Sequence, residues 1–335
     1  MSNQYNSDPN EEASLPFSDY LRILGKGPKT RRNLTMEEAK AAFLQVLDNQ
    51  VSDLQLGAFL LLMRANGEST DELRGFMSAC RKHFGLEDLR GNVDLDWSAY
   101  AGKWRYPPYY LLAIKLLVGK GYRILLHGDS GQFADRVYAE EAMALLGFEV
   151  AENLADASEK LSQGQEVYLP LANFAAPLQR ILHLKQELGV RTVFNTVVKL
   201  LNPLNAPCAI QGIFHKGVEH LHHAGANFNA TRRNLVFKGE GGEAEIRPDA
   251  LNKLFISEDD ILSESAFPAV IERQKRPNQW NLHALRALWN GGLQDAYGEA
   301  CVITTTAAAL VLMESLSLDE AKEKATVLWQ SREAL

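Results

Sequence analysis

PPYYLLAIKLLVGKGYRILLHGD, Pro107 to Asp129, is the stretch whose reading decides the fold. Two prolines precede a long apolar run, and proline suits the first turn of a helix, where its missing N–H would have had no intrahelical partner. PPYYLLAIKLLVGKG therefore predicts a helix. YRILLHGD predicts a buried strand ending in a loop. The same alternation continues outward from this pair. FADRVYAEEAMALLG predicts a helix, EVYLPLANF a strand and LQRILHLKQELG another helix, while CAIQGIF, RNLVFKG and EAEIRPD are further strand candidates. ACVITTTAAALVLMES and a helix capped at Ser317-Leu318-Asp319-Glu320 complete the pattern. Strands alternating with helices predict an α/β sheet.

Upstream the texture differs. From about Pro16 to Gly85 the pattern is helical throughout. Thr35-Met36-Glu37-Glu38 and Ser69-Thr70-Asp71-Glu72 both have capping-box spacing, a hydroxyl followed three residues later by Glu. Between them LQLGAFLLLMRANG is apolar nearly all round, which predicts a buried helix ending near Gly67. Short helices with brief loops predict a small helical domain. Residues 1–15 begin MSNQYNSDPNEEAS, polar and acidic, where a disordered tail is expected and the basic-then-apolar order of a signal peptide is missing.

The 335 residues are 46% hydrophobic, enough for a large core and more than one compact unit. With a net charge of −7, any polyanion site must be a local concentration of Lys and Arg. Cys80, Cys208 and Cys301 lie far apart without metal-ligand spacing and read as buried thiols in a reducing cytoplasm. No run is expected to reach the roughly 18 apolar residues of a membrane span. A cytoplasmic location is expected.

Longer motifs carry a family likeness. LTMEEAKAAFLQVLDNQVSDLQLGAFLLLMRANGESTDELRGFMSA resembles the N-terminal helices of anthranilate phosphoribosyltransferases and the related pyrimidine nucleoside phosphorylases. KQELGVRTVFNTVVKLLNPLNAP, Lys185 to Pro207, resembles their R-x-x-LG-x-RT-x-FN-x-x-x-x-L-x-NP signature, and LHGD, Leu126 to Asp129, stands where that family writes KHGN. The resemblance implies an α/β plus all-α architecture. A small N-terminal helical domain, residues 16–88 with a contribution from about 183–210, would pack on a larger α/β domain with a mixed sheet, residues 89–182 and 211–335. It also implies a ligand cleft between the two and a homodimer formed through the helical domains.

The family's ligand-binding elements are altered in this chain. Its phosphoribosyl pyrophosphate loop reads GTGGD, whose glycines let backbone N–H groups approach the pyrophosphate. The matching Tyr100 to Arg105 reads YAGKWR, so side chains at Lys103 through Tyr106 are expected to fill that seat. Gly131 to Arg136 reads GQFADR in place of a hydroxyl-rich phosphate-binding stretch, and Ala175-Ala176-Pro177-Leu178 replaces His-Pro-Ala-Met. Lys185 stands for the substrate-carboxylate arginine, keeping the charge without the fork. His127, Gly128, Asp129 and Lys185 are then remnants of the family's cleft, with His127 open between a phosphate contact and a structural role. The family's Asp-Glu metal pair falls near GEGGEAE, where Glu240 and Glu243 are weak Mg²⁺ candidates beside Glu245. No catalytic residue is assigned, and neither a cofactor nor a metal is expected.

Basic segments offer a different ligand. KWRYPPYY interleaves Lys103 and Arg105 with Tyr106 and other rings; RILGKGPKTRRN carries Lys26, Lys29, Arg31 and Arg32 without an acidic residue; Arg136, Arg232 and Arg233 add to these. Cations hold phosphates and flat rings hold bases, each stacked base contributing about 1–3 kcal/mol. The competing reading packs Trp104, Tyr109 and Tyr110 into the core and leaves each charge run as solvated surface. GKGPKTRRN and KGEGGEAEI resemble the YbiB-like branch of the same group, whose members are regarded as nucleic-acid-binding proteins without transferase activity. That resemblance implies a sequence-tolerant homodimer on single-stranded DNA or RNA, bound mainly through phosphates and weakened by salt. The alternative is a Mg²⁺-dependent pentosyl transferase with an altered substrate. HKGVEHLHHAG (His215, His220, His222, His223) lacks the acid or cysteine of a zinc set and reads as a partly exposed helix face. Arg191, Asn195 and Asn202-Pro203 read as holding the hinge between domains.

Overall fold

The structure, a computed structural model, describes residues 15–229, 231–259 and 261–335, so the expected tail lies outside the described residues apart from Leu15. Four helices come first: α1 (Phe17–Leu24), α2 (Met36–Leu47), α3 (Asp53–Asn66) and α4 (Thr70–His83). Both anticipated capping boxes form, and a third, Ser52 with Gln55, starts α3. These helices close over a core that includes Phe43, Phe59 and Phe76, joined by Phe194 from far downstream, which stacks on Phe43 at 4.1 Å. The all-round burial expected of α3 is not observed. Leu56, Phe59, Leu60 and Met63 are buried, whereas Leu54 is 84% and Leu61 44% exposed. Leu54, Ala58, Leu61 and Ala65 follow the four-three-four spacing that lines up one helix face, leaving an apolar stripe outside.

The second unit runs β1 (Leu95–Ala99), α5 (Tyr110–Gly119), β2 (Ile124–Gly128), α6 (Met143–Leu146), β3 (Glu149–Val150), α7 (Leu154–Ser162), β4 (Val167–Pro170), α8 (Ala172–His183), α9 (Lys185–Leu188), α10 (Phe194–Val197), β5 (Cys208–Ile213), α11 (Glu219–Phe228), β6 (Arg233–Lys238), β7 (Asn252–Glu258), β8 (Ile261–Phe267), α12 (His283–Trp289), α13 (Ala296–Glu314) and α14 (Leu318–Gln330). The strands form one mixed sheet in the order β3-β4-β2-β1-β5-β6-β7-β8. Every pairing from β3 to β6 is parallel, while β7 and β8 add an antiparallel edge.

Three local expectations change. FADRVYAEEAMALLG is helical only at α6 and a 3₁₀ turn at Ala139–Ala142, because Val137 exchanges both backbone hydrogen bonds with Lys103 (2.7 and 2.8 Å), which draws the preceding segment out straight. EAEIRPD is not a strand, since Glu243 and Glu245 are held under the loop after β1 by the N–H groups of Ala101 and Tyr110. The strands that follow are β7 and β8, the latter a largely exposed edge that ILSESAF does not advertise by apolar content. Finally, α13 is long and apolar enough to cross a membrane by length and composition, against the expectation that no segment is. Here it is 72% buried, with Thr304, Thr305 and Thr306 all inside.

Candidate functional site

In open α/β sheets ligands sit outside the carboxyl ends of the strands, where neighbouring connections run in opposite directions. The chain leaves β1 toward β2 on one side and β5 toward β6 on the other, while β1 and β5 are neighbours. The crevice between them therefore marks the expected site. Around it gather the loops after β1 (100–106), β2 (129–137), β5 (214–218) and β6 (239–245). Gly212 and Gly239 allow this gathering, because a Cβ on either would lie 2.3 Å or less from a backbone atom of Glu243.

Lys103 is the residue whose role changes most. Its side chain is fully buried, 2.6 Å from Glu240 Oε2 and in contact with Glu245, whose other oxygen accepts from Tyr110 N–H at 2.9 Å. Burial alone would lower the ammonium's pKa, but Glu245 and Glu240 more than offset that and hold it above its ordinary value. Lys103 is thus an internal ion-pair partner and not a phosphate ligand. Tyr106 is likewise buried, stacked on Tyr297 at 4.0 Å. The expectation that bulky side chains fill the diphosphate seat is also revised. The N–H groups of Ala101 (2.7 Å) and Gly102 both donate to Glu243 Oε1, so the chain's own carboxyl group covers the amides.

The same geometry tests the Mg²⁺ that the fold family implies. Glu240 and Glu245 converge on one ammonium and Glu243 spends an oxygen on two amides. Among the described residues, Glu240 Oε1 and Glu243 Oε2 are buried without a partner. Mg²⁺ keeps several waters and adds phosphate oxygens, and side chains this deeply buried leave no room for them. The residues do not fit the ion. Among the described residues no cluster of three or more His, Cys, Asp or Glu side chains could hold a metal.

Beside the crevice, Trp104 on the loop after β1 and Phe133 on the loop after β2 each gather cations. Arg105, Arg136 and Arg276 lie 4.7, 5.6 and 5.6 Å from the Trp104 ring, and Arg276 donates to the Trp104 carbonyl at 2.7 Å. Lys185, Arg136 and Arg191 lie 3.7, 4.4 and 4.9 Å from the Phe133 ring. None of these five cations forms an ion pair among the described residues, whereas Arg32, Lys115 and Arg123 each have a carboxylate partner. Behind them Lys199 donates to the carbonyls of Gly212 (2.6 Å) and Gly242 (2.9 Å), and burial brings it down to about 8.

The other sequence-derived residues fall in three places. His127 is structural: Tyr100 Oη lies 2.7 Å from its Nδ1 and Asp96 3.2 Å from its Nε2, both buried. Gly128 ends β2, and Asp129 is buried, accepting from Gln179 (2.8 Å) and bonded to His183 (2.9 Å). The turn after α1 exposes Lys26, Lys29, Arg31 and Arg32; Arg32 is bound by Glu38 through two short bonds, and Arg31 donates to Asn66 at 2.8 Å, two residues from Arg64 on the cleft rim. Arg232 and Arg233 lie at the amino end of β6, the opposite end of the sheet from the cleft, with Arg233 buried against Glu258 at 3.3 Å. They do not join the site. Arg191 and Arg276 also stand beside the Phe133 and Trp104 rings, at positions outside the basic segments singled out in the sequence. Arg191 belongs to the signature, whereas RQKRP at 273–277 is a basic run visible in the chain itself.

His222 and His223 are buried on α11, with Gln211 and Asn234 at 3.0 and 3.3 Å, while His220 on the same helix and His215 before it are exposed, which is the partly exposed face expected of the run. Burial pushes His222 down to about 3 and His223 to about 4. An unfolded histidine binds a proton near 6.5, so between about pH 6.5 and 4 the unfolded chain holds more protons. Stability present above that window should fall as pH drops through it, by up to roughly 2.7 kcal/mol per unit for two groups. Urea midpoints at pH 7, 6 and 5 check this, and a His222→Gln, His223→Asn variant should flatten the slope.

Two family models cover most of the chain. Residues 18–84 match the helical bundle domain of a glycosyl transferase family, and residues 121–335 match its a/b domain. The chain belongs to this glycosyl transferase family. Among its relatives, the uncharacterized protein YbiB of Escherichia coli (strain K12) is 28% identical over 240 residues, 70% of this chain and 74% of that one. An anthranilate phosphoribosyltransferase of Methylobacterium nodulans is 26% identical over 320 residues, covering 92% and 93%. The yeast anthranilate phosphoribosyltransferase solved with PRPP and Mg superposes with a TM-score of 0.78 at 18% identity, covering 94% and 93%. The enzyme from Thermus thermophilus gives 0.75 at 21%, covering 93% and 95%. At such identities these two structures establish the shared fold alone.

Proposed function

We propose that this family member binds single-stranded nucleic acid with little sequence preference along the ring-and-cation face of its cleft, as a homodimer in the cytoplasm. The observation that carries this reading is the set of five cations around Trp104 and Phe133, each beside an aromatic ring and none in an ion pair among the described residues. Phosphates neutralise such cations, and Trp104 and Phe133 offer faces for bases. Lys26, Lys29 and Arg31 extend the positive surface past the α3 end. A gel-shift series across salt tests the reading. Five phosphate contacts on a single strand imply a logarithmic slope near −3.5, and Trp104→Ala should weaken binding by about 1–3 kcal/mol. Binding that is absent, or flat across salt, sinks it.

The α3 stripe supplies the proposed dimer contact. Leu61→Asp is expected to shift the particle to half its mass in light scattering while leaving the circular dichroism spectrum in place, because Leu61 is outside the core.

A second reading has the relatives' names on its side, since several are phosphoribosyltransferases aligned over about nine-tenths of this chain. On it, the chain transfers a pentosyl phosphate with Mg²⁺ to an altered acceptor. The covered amides and the Lys103 clamp weigh against it. Calorimetry with phosphoribosyl pyrophosphate and Mg²⁺ decides: micromolar binding favours the transferase.

A further inference from the structure

A cavity of about 140 Å³ opens at the β1–β5 crevice, between Tyr100 and Ala101 on one side and Gly212, Ile213 and Phe214 on the other. The Ala101 and Gly102 amides at its edge are already taken by Glu243 and are not counted among its donors. Arg64, Arg191 and Lys199 line it, with Glu68 and His215 also on its wall. Arg191 is half-buried between the rings of Phe133 (4.9 Å) and Phe214 (6.0 Å), with no hydrogen-bond acceptor among the described residues. A guanidinium taken from water without an acceptor is costly, and Arg136 and Arg64 add like charge nearby. A second observation points the same way. Thr192 lines the same cavity, is 94% buried, and its hydroxyl has no hydrogen-bond partner among the described residues. A desolvated fork beside an unused hydroxyl suits a tetrahedral oxyanion, since Arg binds phosphate in bidentate fashion and a hydroxyl donates to a third oxygen.

We infer that Arg191 and Thr192, with Arg64 over the rim, form a pocket for a single phosphoryl group. Its source is either a free phosphate compound or one phosphate of a bound strand. Glu68 makes no ion pair among the described residues and is the one carboxylate on the wall, so it sets an upper limit on how much negative charge the pocket takes.

The test is thermal unfolding of the full chain in inorganic phosphate against chloride at matched ionic strength. Phosphate should raise the melting temperature progressively as its concentration exceeds the dissociation constant. Thr192→Val should weaken phosphate about 3- to 10-fold, the measure of one hydrogen bond, and Arg191→Gln should abolish the effect. If Arg191→Gln does not fold, Thr192→Val carries the test. Phosphate that also displaces a fluorescent oligothymidylate assigns the pocket to a strand phosphate; phosphate that stabilises without displacing it assigns a free compound. No phosphate-specific stabilisation, or an effect undiminished in the folded variants, overturns the inference. Oligonucleotide binding that persists in that case leaves the nucleic-acid reading intact.

Discussion

Lys103→Ala is expected to lower the unfolding free energy by about 3–5 kcal/mol, the range for removing one partner of a buried ion pair. The reason is geometric. Glu240 and Glu245 are almost wholly buried and share this single ammonium, so its loss leaves two carboxyl groups in low dielectric with nothing to balance them. Glu245 retains Tyr110 N–H, but among the described residues the Glu240 carboxyl group has no hydrogen-bond donor left. Denaturant midpoints measure the loss. A triple variant, Lys103→Met with Glu240→Gln and Glu245→Gln, should recover much of it, because neutral groups of similar shape carry a smaller desolvation cost. The folded fraction of Lys103→Ala should bind oligonucleotide with an unaltered salt slope. A loss below about 1 kcal/mol, or a slope reduced by one phosphate contact, would return Lys103 to the ligand surface.

Glu243→Ala is the second large effect. Its Oε1 satisfies the buried N–H groups of Ala101 and Gly102, and each orphaned donor costs about 1–3 kcal/mol, so a loss of roughly 2–6 kcal/mol is expected. The variant also opens two convergent amides toward a space that Lys199 faces, an arrangement suited to anions. Pyrophosphate at millimolar concentration should therefore restore part of the lost melting temperature in Glu243→Ala and do much less for the wild type. Equal stabilisation of both proteins would mean the seat is open already, and the transferase reading would gain accordingly.

How far the chain could be read depended on the range of the interactions involved. The α/β alternation, the capping boxes at Thr35 and Ser69, and the family signature at Lys185 to Pro207 are written in spacings of a few residues, where local hydrogen bonding and apolar periodicity act. Those features determined the architecture and the helical start points. The roles of Lys103, Glu243 and Arg233 are set by partners in other segments, 142 residues away in the cases of Glu245 to Lys103 and Glu243 to Ala101. A lysine between tryptophan and glycine looks the same in sequence whether it meets water or two buried carboxylates. Only the folded sheet decided which basic residues share the cleft, because parallel strands send all their carboxyl ends to one edge. That rule brought Arg136, Arg191 and Arg276 together and carried Arg232 and Arg233 to the far side.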